Sequence, residues 1–491
     1  MHAPDPGHRI MLRPLAGYTA LFLLPVLLGA PDAAAQADVA IVGATVIDPA
    51  SGRVLPDHTI AIREGRISQL QPAAVQGGDP ATDPLAAGAG RVIDGRGRWL
   101  VPGLWDAHVH FRGGAALAEA NRRLLPLYVA NGITSVRDAG GDLTPELLDW
   151  RRRIAAGELA GPRIYTSGPK LDGPTGGWDG SIRITTPDQV PAALDSLQSL
   201  GADYVKIYDG SVGPDVFLAI VAEAERRGMP VTGHMPFSVR FADAVHAGLD
   251  ATEHLYYAFK GAAANEDSVT AAVRAGELGF WDALAVLRGG WSEARADSLW
   301  RTMAAAGSGV VPTLHIDHVL GHVADTDHAD DPQLAYIHPD IEATYEGRVR
   351  SAQRSSASMR AERIERHADF VRMVGSMHAA GVPIYAGSDA GPFNSYVYPG
   401  WSLHEELAAL AEAGLTPMEA LRAATIRPAE LLGVDDRTGR IRQGADADLL
   451  LLDADPLADI LNTRRIAYVT QANGRVWSAT ELEALLGTVR R

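Results

Sequence analysis

The sequence contains no cysteine, which excludes a disulfide framework, a thiolate metal site and a cysteine nucleophile. Lysine is almost as scarce: of 44 basic residues, only Lys170, Lys206 and Lys260 are lysines. A lysine in this chain is therefore no casual surface filler. Positive charge is in deficit overall. A formal net charge of -16 offers no phosphate-neutralising surface and argues against nucleic acid as a partner. Beyond the N-terminal segment no apolar run is long enough to make a transmembrane helix.

What is present fits an enzyme-sized, well-packed protein. At 491 residues, 46% apolar and 21% charged, the chain is expected to form one large domain with a smaller one beside it. At the N-terminus, Arg9 and Arg13 precede the apolar core Ala20–Leu28, and small residues follow, ending Ala35-Gln36-Ala37. A charged region, a short apolar core and an A-x-A-like site make residues 1–37 a secretory signal peptide. The expected product is periplasmic or secreted, begins at Asp38 and has no stable membrane anchor; an uncleaved anchor is the alternative. Met11 offers a second start that would shorten the charged region.

Residues 38–98 read as short β-branched strands, such as Ala40-Ile41-Val42 and Thr59-Ile60-Ala61-Ile62, separated by turns. From 99 to 432 the pattern changes to strands alternating with amphipathic helices. The strand candidates are Leu104–His110, Ile133–Arg137, Arg163–Ser167, Tyr204–Tyr208, Val231–His234, Thr252–Leu255, Val310–Leu314 and Ile384–Ala386. A series of strands with helical crossovers predicts an α/β fold, a (β/α)8 TIM barrel, with an open doubly wound sheet as the alternative. The stretch from about 258 to 380 exceeds an ordinary crossover and is expected to form helical insertions near the barrel mouth. From 433 to 491 short β-rich segments return. Neither chain end can close a core alone, so the two are expected to combine into one small β-sandwich domain.

The chemistry gathers at the ends of the barrel strands, where barrel active sites sit. In Asp106-Ala107-His108-Val109-His110, positions i and i+2 of a strand face one way, so two imidazoles point together as a metal chelate would. Lys206 lies inside the apolar run of the fourth strand; His234 and His254 end the fifth and sixth; Asp389 ends the eighth. A buried ammonium among imidazoles is disfavoured by desolvation and like charge. A neutral lysine, by contrast, can add carbon dioxide to become an anionic carbamate ligand; a salt bridge across the barrel is the alternative for Lys206.

At this point the chain resembles the amidohydrolase superfamily in its binuclear, lysine-carbamate subtype. The resemblance rests on Pro102-Gly103 leading to Asp106-x-His108-x-His110, Lys206, His234, His254, Asp389, and the closing Gly444-Ala445-Asp446-Ala447-Asp448-Leu449. Within it, the chain looks most like the imidazolonepropionase-like group that contains Xaa-Pro-type dipeptidases and N-acyl amino acid hydrolases. Lys206 sets it apart from true imidazolonepropionases, which lack that lysine. The resemblance implies that His108, His110 and Asp389 hold one divalent ion, His234 and His254 a second, and carbamylated Lys206 bridges them. Zinc suits such nitrogen and oxygen donors. It implies further that a metal-bridged hydroxide attacks an amide carbonyl while Asp389 shuttles the proton to the leaving amine.

The expected substrates are therefore small molecules, dipeptides or N-acyl amino acids. A lactone, cyclic-amide or organophosphate hydrolase on the same site is the alternative, and a metal-free binding scaffold is the alternative outside enzymes. Homo-oligomerisation stays open. For substrate contacts, Tyr208 and His315 are expected to line the pocket, and Arg137 to read a carboxylate through its planar fork, unless it pairs internally with Asp138 or Asp106. His318, His322, His328 and His338 are expected to be incidental, and His404 to pack behind the site or under a lid.

Overall fold

The computed structural model describes residues 37–74 and 77–491. Except for Ala37, the predicted signal segment lies outside the described residues. Among the described residues no helix is long and apolar enough to cross a membrane.

Five strands open the chain: β1 (Val39–Asp48), β2 (Arg53–Arg63), β3 (Arg66–Pro72), β4 (Arg91–Asp94) and β5 (Trp99–Pro102). Nine follow in the central region: β6 (Leu104–Val109), β7 (Ile133–Asp138), β8 (Arg163–Thr166), β9 (Leu171–Asp172), β10 (Ile182–Arg183), β11 (Val205–Ile207), β12 (Val231–Gly233), β13 (Ala251–Glu253) and β14 (Gly309–Val311). Three close it: β15 (Leu449–Leu452), β16 (Ile466–Thr470) and β17 (Val476–Ser478).

The two chain ends meet in one eight-stranded sheet, ordered β17-β16-β15-β5-β1-β2-β3 with β4 also paired to β1. The seam is β15 against β5, antiparallel, with Leu450 opposite Val101. The run Leu449-Leu450-Leu451-Leu452 shows why four consecutive leucines stand there. Side chains alternate across a strand, so Leu449 and Leu451 fill the core of this sheet while Leu450 and Leu452 fill the core of the barrel beneath.

The central strands are parallel and short, and most are buried on both faces because helices cover them outside and side chains fill them inside. They fall into two hydrogen-bonded sets, β6-β7-β8 and β10-β9-β11-β12-β13-β14. The segment 383–390 supplies the eighth position between the two sets. Tyr385 donates to the Val310 carbonyl at 3.0 Å on one side; on the other, Ala107 donates to Ala386 at 2.9 Å and Asp389 to His108 at 2.8 Å. Asp203 donates to the Thr166 carbonyl at 2.9 Å and links β8 to the approach of β11. The result is the (β/α)8 architecture, with the eight expected strand positions in order. The two-residue strands β9 and β10 were not expected; they sit in a Gly/Pro-rich loop that shows no periodicity.

The helices follow from pattern and caps. Pro214–Arg227 opens on proline, places Val216, Phe217, Ile220, Val221 and Ala224 on its buried face, and ends at Gly228 with φ 64°. Between β13 and β14 run the helices Tyr256–Ala262, Glu266–Arg274, Phe280–Arg288 and Glu293–Ala306. Leu314–His322, Pro339–Arg354 and Ala357–Ala379 fill the stretch between β14 and the eighth strand position. These excursions carry the aromatic side chains that roof the site.

Candidate active site

All six side chains expected to bind metal converge on one place. His108 on β6 and His110 just past its end bring their ring centroids to 4.9 Å. His254 lies 5.3 Å from His108, and His234 lies 5.0 Å from His254. Asp389 reaches in from the eighth strand: Oδ1 is 2.8 Å from His110 Nε2, and Oδ2 is 3.8 Å from His254 Nε2. One ligand atom each from His108, His110 and Asp389 can be chosen so that all lie within 4.8 Å of one another.

Backbone strain marks the same strand ends. His254, Thr313 and Asp389 adopt left-handed φ of 62°, 52° and 60°, conformations that cost energy outside glycine and persist only where the surroundings enforce them. For His254 the enforced turn lets it face inward directly after Glu253, which also points into the barrel. The chain at Gly387 passes so close to His108 that an added Cβ would stand 2.8 Å from the histidine's own Cβ. Only glycine admits that approach.

Outer partners orient the ligands. His234 Nδ1 bonds Asp209 at 2.9 Å, and Asp209 also accepts from Tyr257 at 2.8 Å. The Nδ1 of His254 meets the Thr313 hydroxyl at 2.7 Å. Asn394 donates to Asp389 Oδ1 at 2.8 Å. Such partners leave Nε2 of His234 and of His254 to face the site and hold the rings in place. Asp106, the first acid of the motif, is not a ligand. It accepts from the Ser388 backbone at 2.9 Å and from the Ser388 hydroxyl at 2.5 Å, tying the first strand to the eighth.

The donor set fits a divalent cation. Both ring nitrogens of His108 and Nδ1 of His110 are buried without a hydrogen-bond partner among the described residues. Burial lowers His108 and His234 to about 4 and takes His110 and His254 well below the imidazole range, so all four are neutral donors. Burial alone would raise Asp389, but the imidazoles of His108 and His110 hold it well below the usual carboxylate range. Neutral imidazoles around one carboxylate are a set that zinc and similar ions take.

Lys206 sits on β11 and is fully buried. Its Nζ touches the Glu253 carboxylate, the cross-barrel neighbour that a salt-bridge reading anticipates. Yet burial, followed by the charges of Arg137 and Lys170, holds Lys206 well below its ordinary range. Glu253 already has a cation: Arg137 Nη2 lies 2.9 Å from it, with both side chains fully buried.

That pairing corrects the expectation for Arg137. Its Nε donates to the Ala107 carbonyl at 2.5 Å and its Nη1 to the Thr232 hydroxyl at 2.7 Å, so each guanidinium nitrogen has a partner inside the barrel, and Arg137 does not line the cavity. Nor are its partners the anticipated Asp138 and Asp106. Sequence reasoning passed over Glu253 because a residue adjacent to a ligand normally faces away along a strand; the left-handed turn at His254 removes that rule.

A cavity of about 390 Å3 opens beside this cluster, and Tyr208, His234, His254 and Asp389 are among its lining. Tyr208 is in the position expected of it, its ring 4.6 Å from that of His234. His315 is not. On helix Leu314–His322 the cavity face carries Ile316, Asp317 and Leu320, whereas the backbone N–H of His315 binds Glu406 at 2.7 Å and His315 is not in the lining. One residue of displacement on a helix turns the side chain by about 100°. His404 is structural: it bonds Thr463 at 2.8 Å and the Asn131 carbonyl at 3.0 Å. The cavity roof, unforeseen, is aromatic. Tyr256 packs against Phe280 at 5.7 Å, Trp281 at 6.1 Å and Phe370 at 5.4 Å.

Comparison with known proteins agrees with this geometry. The sequence profile of the Amidohydrolase family matches residues 99–476. An uncharacterised protein of Mycobacterium tuberculosis is 28% identical over 438 residues, covering 82% of this chain and 89% of its own. The ochratoxinase of Aspergillus niger is 22% identical over 517 residues, covering 93% of this chain and 88% of its own. Among solved structures, a Xaa-Pro dipeptidase with bound methionine in its active site superposes with a TM-score of 0.64 at 21% identity, over 90% of this chain and 99% of its own.

Proposed function

We propose that this chain, which belongs to the amidohydrolase family, is an exported metal-dependent hydrolase of amide bonds in dipeptides or N-acyl amino acids. The observation that carries the reading is the convergence of four buried histidines and Asp389 at one place, with His234, His254 and Asp389 lining the cavity above it. His108, His110 and Asp389 would hold one cation; His234, His254 and a carbamate on Lys206 would hold the other. Zinc suits these donors. Bound cations supply Lewis acidity for the scissile carbonyl and for water.

The rest falls to the chain's own residues. Asp389, ionised and steadied by Asn394, is placed to accept a proton at its carboxylate and return it to the leaving amine. Tyr208 and the aromatic roof of Tyr256, Phe280, Trp281 and Phe370 bind a bulky apolar group and keep water from it. An uncharged amine is the form that can take up carbon dioxide, and the burial of Lys206 favours that form. Support for amide chemistry comes from the relatives named as a dipeptidase and an ochratoxinase.

The test is a paired screen of the metal-loaded protein against N-acyl amino acids and dipeptides on one side, lactones and organophosphates on the other. Amine release with kcat/KM at least tenfold above the lactones supports the reading; efficient turnover of lactones alone overturns it. For export, the mature protein is expected to start at Asp38 when recovered from the periplasm or medium, and an intact Met1 or Met11 there contradicts it.

A further inference from the structure

One cationic side chain stands in the wall of the cavity. Among the lining residues Arg348 is the only lysine or arginine. It is exposed, on helix Pro339–Arg354, and two of its nitrogens are fixed by the chain. Nε donates to the Phe393 carbonyl and Nη2 to Asn394 Oδ1, each at 2.8 Å. Nη1 has no partner among the described residues, so one end of the guanidinium is open.

No carboxylate answers this charge. Among the described residues Arg348 has no ion pair within 4.0 Å, and the acids around it are engaged elsewhere. On its own helix Glu342 pairs with Arg491 at 2.6 Å and Glu346 pairs with Arg350. In the cavity wall Asp209 meets His234 at 2.9 Å and Tyr257 at 2.8 Å, and Asp317 meets His367 at 3.0 Å. Asp389 lies against His110 at 2.8 Å. A second guanidinium adds to the excess. Buried Arg112 donates through Nη2 to the same Asn394 oxygen at 3.0 Å, and it too has no ion pair among the described residues. Two guanidiniums on one neutral carboxamide leave positive charge at this wall that the neighbouring side chains do not neutralise.

The position of that charge selects the anion. Asn394 holds Arg348 through its oxygen and donates through its nitrogen to Asp389 Oδ1 at 2.8 Å. A single carboxamide therefore separates the cation from a candidate metal ligand. In an acylated amino acid a single Cα separates the amide nitrogen from the carboxylate, a comparably short link. An arginine end with free N–H groups matches a carboxylate in shape and charge. We infer that Arg348 pairs with the carboxylate of the amino acid that the hydrolase releases. This rests on the amide-hydrolase reading above and moves the carboxylate-reading role from the internally paired Arg137 to Arg348.

The test uses N-benzenesulfonyl-L-phenylalanine and its carboxamide, which lack the acyl carbonyl and so report binding alone. They are titrated by calorimetry into the metal-loaded full chain as wild type, Arg348→Met and Arg348→Lys, each checked for thermal melting and metal content. Hydrolysis of N-acyl amino acids is scored separately. Wild type is expected to bind the acid about 10-fold more tightly than the amide, the scale of a hydrogen bond to a charged group. In Arg348→Met that ratio is expected to fall to near unity, and in Arg348→Lys part of it is expected to remain. A ratio that survives in Arg348→Met, or that wild type never shows, overturns the inference. So does an equal loss for acid and amide, which would leave Arg348 only propping the loop at Phe393 and Asn394. Preference without hydrolysis of any acyl amino acid sinks the amide-hydrolase reading and leaves the carboxylate site standing; hydrolysis without preference does the reverse.

Discussion

Arg137→Met separates an internal role for this arginine from a substrate role. The guanidinium lies 2.9 Å from Glu253, 2.7 Å from Thr232 and 2.5 Å from the Ala107 carbonyl, all within the barrel. Methionine preserves bulk but leaves the Glu253 carboxylate buried without its cation. Breaking a buried pair in this way costs about 3–5 kcal/mol, far more than a surface pair, because the remaining charge is desolvated and uncompensated. Lys206, in contact with Glu253, can relieve the loss by holding a proton, which on the proposed carbamate reading keeps it from the metal. The variant therefore either unfolds at a clearly lower urea midpoint or takes up less metal, and both are read on one preparation by denaturant titration and elemental analysis. Adding Glu253→Gln removes the stranded charge, and the remaining cost should fall to roughly 1–3 kcal/mol, that of lost neutral hydrogen bonds. Discrimination between a carboxylate substrate and its amide should persist in Arg137→Met. Unchanged stability together with unchanged metal content would refute the pairing, and so would selective loss of carboxylate discrimination.

Two further outcomes follow from the geometry. Lys206→Ala should lose the bridging ligand, with lower metal content and kcat down by at least 100-fold, and added short carboxylates should restore part of it; full metal content with normal turnover contradicts the carbamate. Glu406, whose burial pushes it up to about 8 from 4.5, stays protonated in the folded chain when the unfolded chain has ionised. The linkage is then one-directional. Stability is fully present below about 4.5 and falls as pH rises to about 8, so Glu406→Gln should stabilise above pH 8 and change little at pH 4 in pH-dependent melting.

Much of this site was legible because its residues stand where strands end. The i, i+2 spacing of His108 and His110 sets their common direction, Lys206 stands inside an apolar run, and His234, His254 and Asp389 each follow a short buried segment of the barrel. The roles of Glu253 and Arg137 were not legible, since a left-handed backbone at His254 turns two adjacent residues inward and periodicity cannot foresee it. His315 was misplaced for a similar reason: the chain passes from strand to helix at Leu314, so the period changes from two to 3.6 at that point. Arg348 left no sign in the sequence: it is one arginine among several on a long polar helix, and its partners Phe393 and Asn394 come from the loop after the eighth strand position. The roof of Tyr256, Phe280 and Phe370 likewise joins residues far apart in the chain, and only folding brings them together.

The central claim is tested most directly by stripping the purified chain with a chelator and following amine release from an N-acyl amino acid before treatment, after it, and after reloading with zinc. The account predicts hydrolysis in the native protein, loss on stripping with the fold retained by circular dichroism, and recovery as metal returns to about two equivalents per chain. Hydrolysis that continues at full rate in metal-free protein, or metal-loaded protein that releases no amine from any acyl amino acid or dipeptide, would contradict it.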